Sequence, residues 1–356
     1  MSIPGEGTSL AIARRKSTKR FGIALAIMIV GALLFFILGL FVGNSTLSFA
    51  EAIKALFGDG TPSAVRIMQR IRLPRAIAAM LVGGGLGLAG LMMQTSLANP
   101  MASPGTLGIS NAAVLGANIA IICMTDNPVN GTVWNNPSPY GVAGIAFLSA
   151  MIATFLVLLL SKIRNFSPLS IVLIGIGLGA AYQAITTLVQ YFAAEHTLAS
   201  AVYWSFGDIG RINPTDNILL LVVAAIAFIA MMILSNRYDA FLLGEKNAST
   251  LGVNVELLRF VCLFLASLLT ASIVSLCGII GFVGIVAPHI CRRIVGQSHR
   301  RLVPATLLVG AVLVASSDVI GRLFAGGAAL PVGAVTALFG APFFIILMLT
   351  EKGARR

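Results

Sequence analysis

Long apolar runs, separated by short polar segments, make up most of this chain. A membrane-crossing α-helix needs about 20 mostly apolar residues, and only helices or closed barrels satisfy their backbone hydrogen bonds inside a bilayer. The runs are continuous rather than alternating between apolar and polar positions, which favours helices over barrel strands. The pattern predicts an all-α integral membrane protein with about ten transmembrane helices, at residues 21–43, 76–94, 106–124, 140–161, 168–194, 217–235, 260–280, 282–291, 303–324 and 333–350.

The eighth run, 282–291, is too short to cross a bilayer, so a partial or re-entrant helix shielded by protein is expected there. The segments 76–194 and 260–350 each hold about four runs and begin in opposite directions, which allows an inverted repeat. The chain therefore divides into a basic tail at 1–20, a ten-span domain at 21–350 and a short tail at 351–356.

Composition agrees with a membrane protein, since only 10% of the residues are charged, whereas a soluble domain has about a quarter. The net charge of +12 arises from short Lys and Arg clusters between the runs, without a continuous basic face, so nucleic-acid binding is not indicated. If the N-terminal tail is cytoplasmic, 17 of the 24 Lys and Arg residues lie on the cytoplasmic side, as the positive-inside rule requires. The other cytoplasmic segments are then 94–106, 162–168, 236–259, 291–302 and the C-terminus.

A cluster of arginines is the exception to this rule, because it falls in a segment predicted to lie outside. Two explanations stay open, namely binding to lipid headgroups and docking of an acidic partner protein. The cluster consists of Arg66, Arg70, Arg72 and Arg75.

Before the arginines, the sequence predicts a short helix at about 48–58 that lies on the outer face of the membrane. Ser48 and Glu51 have the spacing of a capping box, and Gly58 marks the end of the helix.

Glycines three or four residues apart predict close helix packing in the second and fifth spans, which we therefore expect in the protein interior. These residues are Gly83, Gly87 and Gly90 in the second span, and Gly175 and Gly179 in the fifth.

Candidate chemistry within the spans is sparse. Asp318 and Arg322 stand four residues apart near an outer helix end, where a structural ion pair is favoured over a proton relay, since a relay would need several carboxyl groups across the membrane. The chain has no phosphate-binding GxxxxGK[ST] loop, no HExxH helix and no GxSxG elbow. We therefore expect no catalytic residue, no metal site and no cofactor bound by this chain.

The longest cytoplasmic loop, 236–259, contains a short helix-forming piece between Gly244 and Gly252. Two interpretations stay open: a compact helix-turn-helix that transmits motion from a motor subunit, and a solvated connector.

Several motifs together resemble the FecCD-type permeases of ABC importers, which carry iron siderophores, haem and vitamin B12. The likeness extends from about residue 66 to 350. It includes Arg72-Leu73-Pro74-Arg75, Asn99-Pro100-Met101-Ala102-Ser103-Pro104-Gly105, Gly281-Phe282-Val283-Gly284 with Pro288-His289, Leu330-Pro331-Val332-Gly333 and Gly340-Ala341-Pro342.

The resemblance implies a permease with ten spans per subunit that works as a dimer, with a homodimer expected. Its other partners would be two cytoplasmic ATPases, which bind ATP and Mg²⁺, and an extracytoplasmic binding protein. It also implies the cytoplasmic (inner) membrane of a prokaryote, with both termini cytoplasmic, and import of ferric siderophore, haem or corrinoid-type metal chelates.

The resemblance assigns three groups of residues by position. ATPase coupling would involve Gly244, Glu245, Ala248, Leu251 and Gly252; binding-protein docking would involve Arg72, Arg75 and Arg322; and the translocation gate would be formed by Ser167, Pro168, Leu169 and Ser170.

An ion-coupled secondary transporter, working without ATP, is the alternative from another class. The coupling-like loop and the missing series of membrane carboxyl groups favour the importer. A third interpretation, an intramembrane enzyme, lacks a catalytic cluster.

Overall fold

The computed structural model describes residues 6–43, 47–124, 138–324 and 330–351, in which helices alternate with short connections and no strand occurs. Segments of π-helix at Ile67–Arg72 and Ile119–Cys123 precede α4 and follow α5, and 3-10 turns lie at Pro104–Leu107 and Ile209–Arg211. The α-helices are α1 Glu6–Phe41, α2 Phe49–Leu56, α3 Pro62–Arg66, α4 Leu73–Ser96, α5 Ile109–Asn118, α6 Pro139–Lys162, α7 Pro168–Tyr191, α8 Glu195–Ser205, α9 Pro214–Ile233, α10 Ser235–Phe241, α11 Glu245–Thr250, α12 Val255–Cys277, α13 Val283–Val295, α14 His299–Phe324 and α15 Val332–Glu351.

All ten predicted apolar runs are helical, which confirms an all-α integral membrane protein. Among the described residues, seven helices are long and apolar enough to cross a membrane: α1, the continuous helix Pro62–Ser96, α6, α7, α9, α12 and α14. Ile109–Cys123 and Val332–Ile346 are shorter apolar helices. The 13 residues of α13 match the short eighth run and extend only about 20 Å, against a hydrocarbon core of about 30 Å.

Several predicted boundaries are wrong, because apolar composition marks only the part of a helix that suits lipid. Helical hydrogen bonding continues into polar residues at both ends of many spans. Residues 6–20, predicted as a tail, form the start of α1, and the arginine segment is the helical beginning of the second span. Residues 255–259, predicted as loop, belong to α12.

The fifth span ends at Tyr191 rather than at residue 194, and the separate helix α8 follows it, which the apolar pattern did not predict. Of the predicted C-terminal tail, residues 352–356 lie outside the described residues.

Helix α2 confirms the predicted capping box. The backbone N–H of Ser48 donates to Glu51 Oε2 at 2.9 Å, and the N–H of Glu51 donates to Ser48 Oγ at 3.3 Å. The helix ends at Leu56, and Gly58 adopts a φ of 87° that an L-residue disfavours. Its position on the membrane surface stays a prediction.

Helix α4 lies at the centre of the bundle, as its glycines predicted. In the most apolar stretch of this span, 83% of the residues are buried. A Cβ atom on Gly83 would lie 2.2 Å from the carbonyl oxygen of Gly310 in α14, and one on Gly90 would lie 1.9 Å from that of Gly284 in α13. The backbones of α4, α13 and α14 therefore touch at positions where only glycine fits.

Helix α7 is only partly buried within this chain. Gly175 and Gly179 do pack closely, since their Cβ atoms would lie 2.7 Å from Leu107 Cα and 3.2 Å from Gly108 Cα. However, only 22% of the residues in the most apolar stretch of α7 are buried within this chain. Glycine spacing defines one packed stripe and does not require the other faces of the helix to be covered.

Polar contacts define two ends of the bundle. At the arginine end, the C-termini of α1 and α14 meet, because Arg322 Nη1 donates to the carbonyl of Gly39 at 3.0 Å. The opposite end is called the coupling end here, because it contains the predicted coupling segment. There, the C-terminus of α4 meets the N-terminus of α14, and Thr95 Oγ1 lies 2.8 Å from His299 Nε2. The segment 235–254, containing α10 and α11, lies at the coupling end.

Candidate functional sites at the two ends of the bundle

Asp318 is the centre of the arginine end, and its side chain is only 2% exposed. Arg322 Nη2 lies 2.8 Å from Asp318 Oδ2, which confirms the ion pair predicted from their spacing. The sequence did not predict that Arg75 binds the other carboxylate oxygen, with Nη2 at 2.8 Å and Nε at 2.9 Å from Oδ1. One buried carboxylate is therefore shared by two guanidinium groups.

The C-terminal carbonyls of α1 bind the remaining donors at this end. Arg72 Nη1 donates to the carbonyls of Leu40 and Phe41 at 3.1 and 3.2 Å, and Arg322 Nη1 donates to that of Val42 at 2.7 Å. The last carbonyls of a helix lack intrahelical partners and lie at the negative end of its dipole. These contacts account for part of the arginine cluster without any external partner.

The three predicted docking residues thus meet at one end of the fold, but mainly through internal bonds. Arg72 is buried, and the side chains of Arg75 and Arg322 are 15% and 10% exposed. By contrast, Arg66 and Arg70 are exposed. The docking role of the three residues stays a prediction, and the exposed pair offers more accessible charge.

Asp208 is a further acidic residue at this end that sequence reasoning missed. Its Oδ1 atom lies 3.8 Å from Arg75 Nη2, and its side chain is 40% exposed. The chain has only 12 acidic residues against 24 basic ones, so any acidic residue that the fold brings near an arginine cluster is a candidate ion-pair partner.

At the coupling end, α11 is the short helix predicted between two glycines. Gly244 and Gly252 have φ values of 93° and 79°, a backbone conformation that glycine adopts without strain. Within the predicted coupling set, Ala248 is fully buried, so its small size serves packing inside the segment. Leu251 is 64% exposed and Leu243 is 60% exposed, so an apolar surface flanks α11.

Asp239 anchors α10 to the N-terminus of α14. Its Oδ1 atom accepts from the His299 backbone N–H at 2.8 Å and lies 2.7 Å from His299 Nδ1, while Oδ2 accepts from Ser298 Oγ at 3.0 Å. Burial raises the pKa of Asp239, but the hydrogen bonds from His299 and Ser298 outweigh it and lower the pKa below its usual value. His299, the first residue of α14, is buried.

Arg259 makes the second charged anchor of this segment, and sequence reasoning missed it. Its Nη2 atom lies 2.5 Å from Glu245 Oε1 in α11, and its side chain is 2% exposed. Its other donors bind the carbonyls of Ser96 and Phe166, at 2.8 and 2.7 Å. Arg259 was predicted as the last residue of the loop 236–259, where a basic residue is usual, so no sequence signal marked its burial.

The predicted gate residues, 167–170, form the first turn of α7 at the coupling end. Ser167 precedes the helix and Pro168 occupies its first position, where proline fits because no intrahelical N–H is needed. Leu169 is 69% exposed. The structure brings this turn close to Arg259 through Phe166; the gating role itself stays a prediction.

The bundle of long apolar helices, with charged contacts at both ends, defines an integral membrane protein with several membrane-crossing helices. The sequence matches the FecCD transport family over residues 28–350, and the chain belongs to that family.

Individual relatives and a solved structure support this assignment. The chain is 40% identical over 331 residues to a Methanocaldococcus jannaschii protein named as an ABC transporter permease, covering 92% of this chain and 94% of the relative. It is 36% identical over 287 residues to an Fe(3+)-citrate import system permease of Bacillus subtilis, covering 80% and 82%. A solved structure titled as an inward-facing metal-chelate type ABC transporter superposes with a TM-score of 0.79 at 29% identity, covering 92% of this chain and 98% of that one.

We predict that Asp318→Asn destabilises the fold by about 3–5 kcal/mol, because it leaves two largely buried guanidinium groups without their counter-charge. The measurement is the unfolding free energy in detergent, followed by the loss of helical signal. Asp208→Asn is the matched control, since its 3.8 Å pair is partly exposed and worth about 1 kcal/mol or less. Equal losses in the two variants would contradict the central role of Asp318.

Proposed function

We propose that this chain is the permease subunit of an ATP-driven importer of metal chelates, with ferric chelates as the preferred substrate class. Family membership supports the transport role, and the names of the Bacillus subtilis relative and of the solved structure support the substrate class. Siderophore, haem and corrinoid chelates all belong to the wider class of metal chelates.

The observation that carries the proposal is the construction of the coupling end. A short helix, α11, is held between two glycines, has exposed leucines beside it and is joined by Glu245 and Arg259 to the first turn of α7. A solvated connector needs neither an apolar surface nor a buried charged anchor. A segment that receives force from another subunit needs both.

The partners follow from this architecture. Cytoplasmic ABC ATPase subunits, with ATP and Mg²⁺ bound to them, would dock at residues 243–252. A second copy of the permease would cover the apolar side chains that α7 exposes, among them Leu173 and Ile176. A binding protein would deliver the chelate at the arginine end.

The proposed orientation places the coupling end and both termini in the cytoplasm of a prokaryote, with the chain in its inner membrane. The positive-inside distribution, 17 of 24 basic residues, supports this orientation. The internal bonds of Arg72, Arg75 and Arg322 weaken the main objection, since these three residues bind Asp318 and backbone carbonyls within the protein.

An ion-coupled transporter is less consistent with the carboxylates of the described helices. Asp318 is engaged by two arginines in a structural ion pair. Asp216, Glu256 and Glu351 lie in the first or last turn of their helices. These residues do not form a series of carboxyl groups across the membrane.

Reconstitution tests the proposal directly. The chain, co-expressed with its cognate ATPase and binding protein in proteoliposomes, is expected to import ferric chelate in an ATP-dependent manner that vanadate abolishes and a protonophore leaves intact. Uptake that resists vanadate and stops with the protonophore would establish the ion-coupled alternative instead.

For ATPase docking, we predict that Leu251→Asp weakens copurification of the ATPase, because a charge would replace an exposed apolar contact, while membrane insertion is unchanged. The loss should be about tenfold or more in affinity, as for truncation of a buried interface anchor. Gln297→Asp, exposed at the same end but outside the segment, is the control. Undiminished copurification with Leu251→Asp would remove this surface from the interface.

For the arginine end, we predict that Arg66→Glu and Arg70→Glu reduce affinity for the binding protein by about threefold each at low salt, as for exposed ion pairs. Reversals at Arg72, Arg75 and Arg322 should also reduce it, and must be compared with their effect on stability. The measurement is binding to reconstituted transporter at low and high salt. Unchanged affinity in all five variants would mean that these arginines bind lipid headgroups or internal groups and do not dock the binding protein.

A further inference from the structure

Arg259 connects four elements that are distant in sequence, although it lies only one turn inside α12. Its Nη2 atom binds Glu245 of the coupling helix at 2.5 Å, its Nη1 atom donates to the carbonyl of Phe166 at 2.7 Å, and its Nε atom donates to that of Ser96, the last residue of α4, at 2.8 Å. The guanidinium also lies over the ring of Phe241 in α10, 5.8 Å from its centroid.

We propose that Arg259 is the positioning residue that transmits movement of the coupling helix to the first turn of α7, where the gate is predicted. This inference rests on the proposed function, and it adds the route by which ATPase docking reaches the gate.

The geometry of a guanidinium makes this route direct. The group is planar and rigid, so Nη1 and Nη2 move together. The Glu245 carboxylate and the Phe166 carbonyl are therefore held at a fixed separation by one chemical group. Because Arg259 is 2% exposed, releasing either partner would leave a buried charge incompletely bonded.

The turn that receives this contact is held in an unusual conformation. Asn165 and Phe166 both have φ values of 52°, in the left-handed region that non-glycine residues seldom occupy. Such a conformation persists only where surrounding contacts hold it. Arg259 supplies one at the Phe166 carbonyl, and the Phe166 ring packs edge-on against Phe260, at 6.4 Å between centroids.

Glu245 is the most accessible of the residues that bind Arg259. Its side chain is 49% exposed, and with Arg259 and Asn165 it lines a cleft of about 420 Å³ between α11, α12 and the α6–α7 turn. The coupling helix thus has room to shift, whereas Ser96 fixes Arg259 to the end of the most buried helix. A shift of α11 must then either stretch the Glu245 contact or carry the guanidinium towards the Phe166 turn.

The test measures gate movement without requiring the transported substrate. A reference protein carries Cys123→Ser, which removes the exposed cysteine, and Leu169→Cys, which places a thiol on the exposed gate turn. The cognate ATPase is copurified with it. Labelling of the introduced thiol by a charged maleimide is timed without nucleotide and after trapping with ATP and vanadate.

In the reference protein, the labelling rate is expected to differ between the two nucleotide states. Arg259→Lys keeps the charge but cannot bridge three acceptors, and Glu245→Gln keeps the side-chain shape but loses the charge. Arg259→Lys should retain the ATPase. Both variants, compared with the reference at equal amounts of bound ATPase, should reduce the nucleotide-dependent difference by about tenfold, within the range known for residues that modulate coupling. Arg300→Gln, an exposed arginine at the same end, should leave the difference unchanged.

The remaining outcomes contradict either the positioning role of Arg259 or the proposed function. A full nucleotide-dependent difference in Arg259→Lys and Glu245→Gln, or none in the reference protein, overturns the positioning role while the permease assignment stands. Loss of the ATPase in Arg259→Lys makes Arg259 a determinant of docking and also overturns the role. Failure of the reference protein to bind an ATPase overturns the proposed function itself. If Arg259→Lys fails to insert, Glu245→Gln decides.

Discussion

The backbone contact between α4 and its neighbours is the constraint on which both candidate sites depend. Gly83 meets Gly310, and Gly90 meets Gly284, at distances that exclude even a methyl group. In a bilayer, helices gain little from burying apolar surface, since lipid is equally apolar, so close packing supplies much of the association energy. Because α4 and α14 are fixed side by side along their length, the residues at their ends are also placed opposite each other.

Both charged ends use this placement in the same way. Arg75 at the start of α4 meets Asp318 near the end of α14, and Thr95 at the other end of α4 meets His299 at the start of α14. A charge in a low-dielectric interior is tolerated when it is paired and hydrogen-bonded. Unsatisfied helix-terminal carbonyls supply the additional acceptors, from α1 to Arg72 and from α4 to Arg259. The helix ends therefore supply hydrogen-bond acceptors to arginines, which outnumber the few acidic residues of the chain.

The sequence predicted those features that local pattern determines. Apolar runs marked ten helices, because a bilayer leaves the backbone little alternative, and Ser48 with Glu51 marked a helix start, because capping is a local contact. Asp318 with Arg322 was predictable from helical spacing. The pairing of Arg75 with Asp318 was not, because these residues are 243 positions apart and meet only through the packing of two glycine faces. Helix α8 was missed because it is too short and too polar for an apolar pattern to mark.

The two ends of the bundle differ in how firmly their elements are held. At the arginine end, Arg75 and Arg322 share a carboxylate that is almost completely buried, so movement there would separate desolvated charges. At the coupling end, Asp239 and Glu245 are both partly exposed, so water can replace part of what a shift of α10 and α11 removes. Among the neighbouring spans, α4 is buried on most of its surface within this chain, whereas α7 is not. Arg259 is bonded towards both, to Ser96 at the end of α4 and to Phe166 in the turn before α7, so its anchor on the α4 side is the more firmly packed of the two.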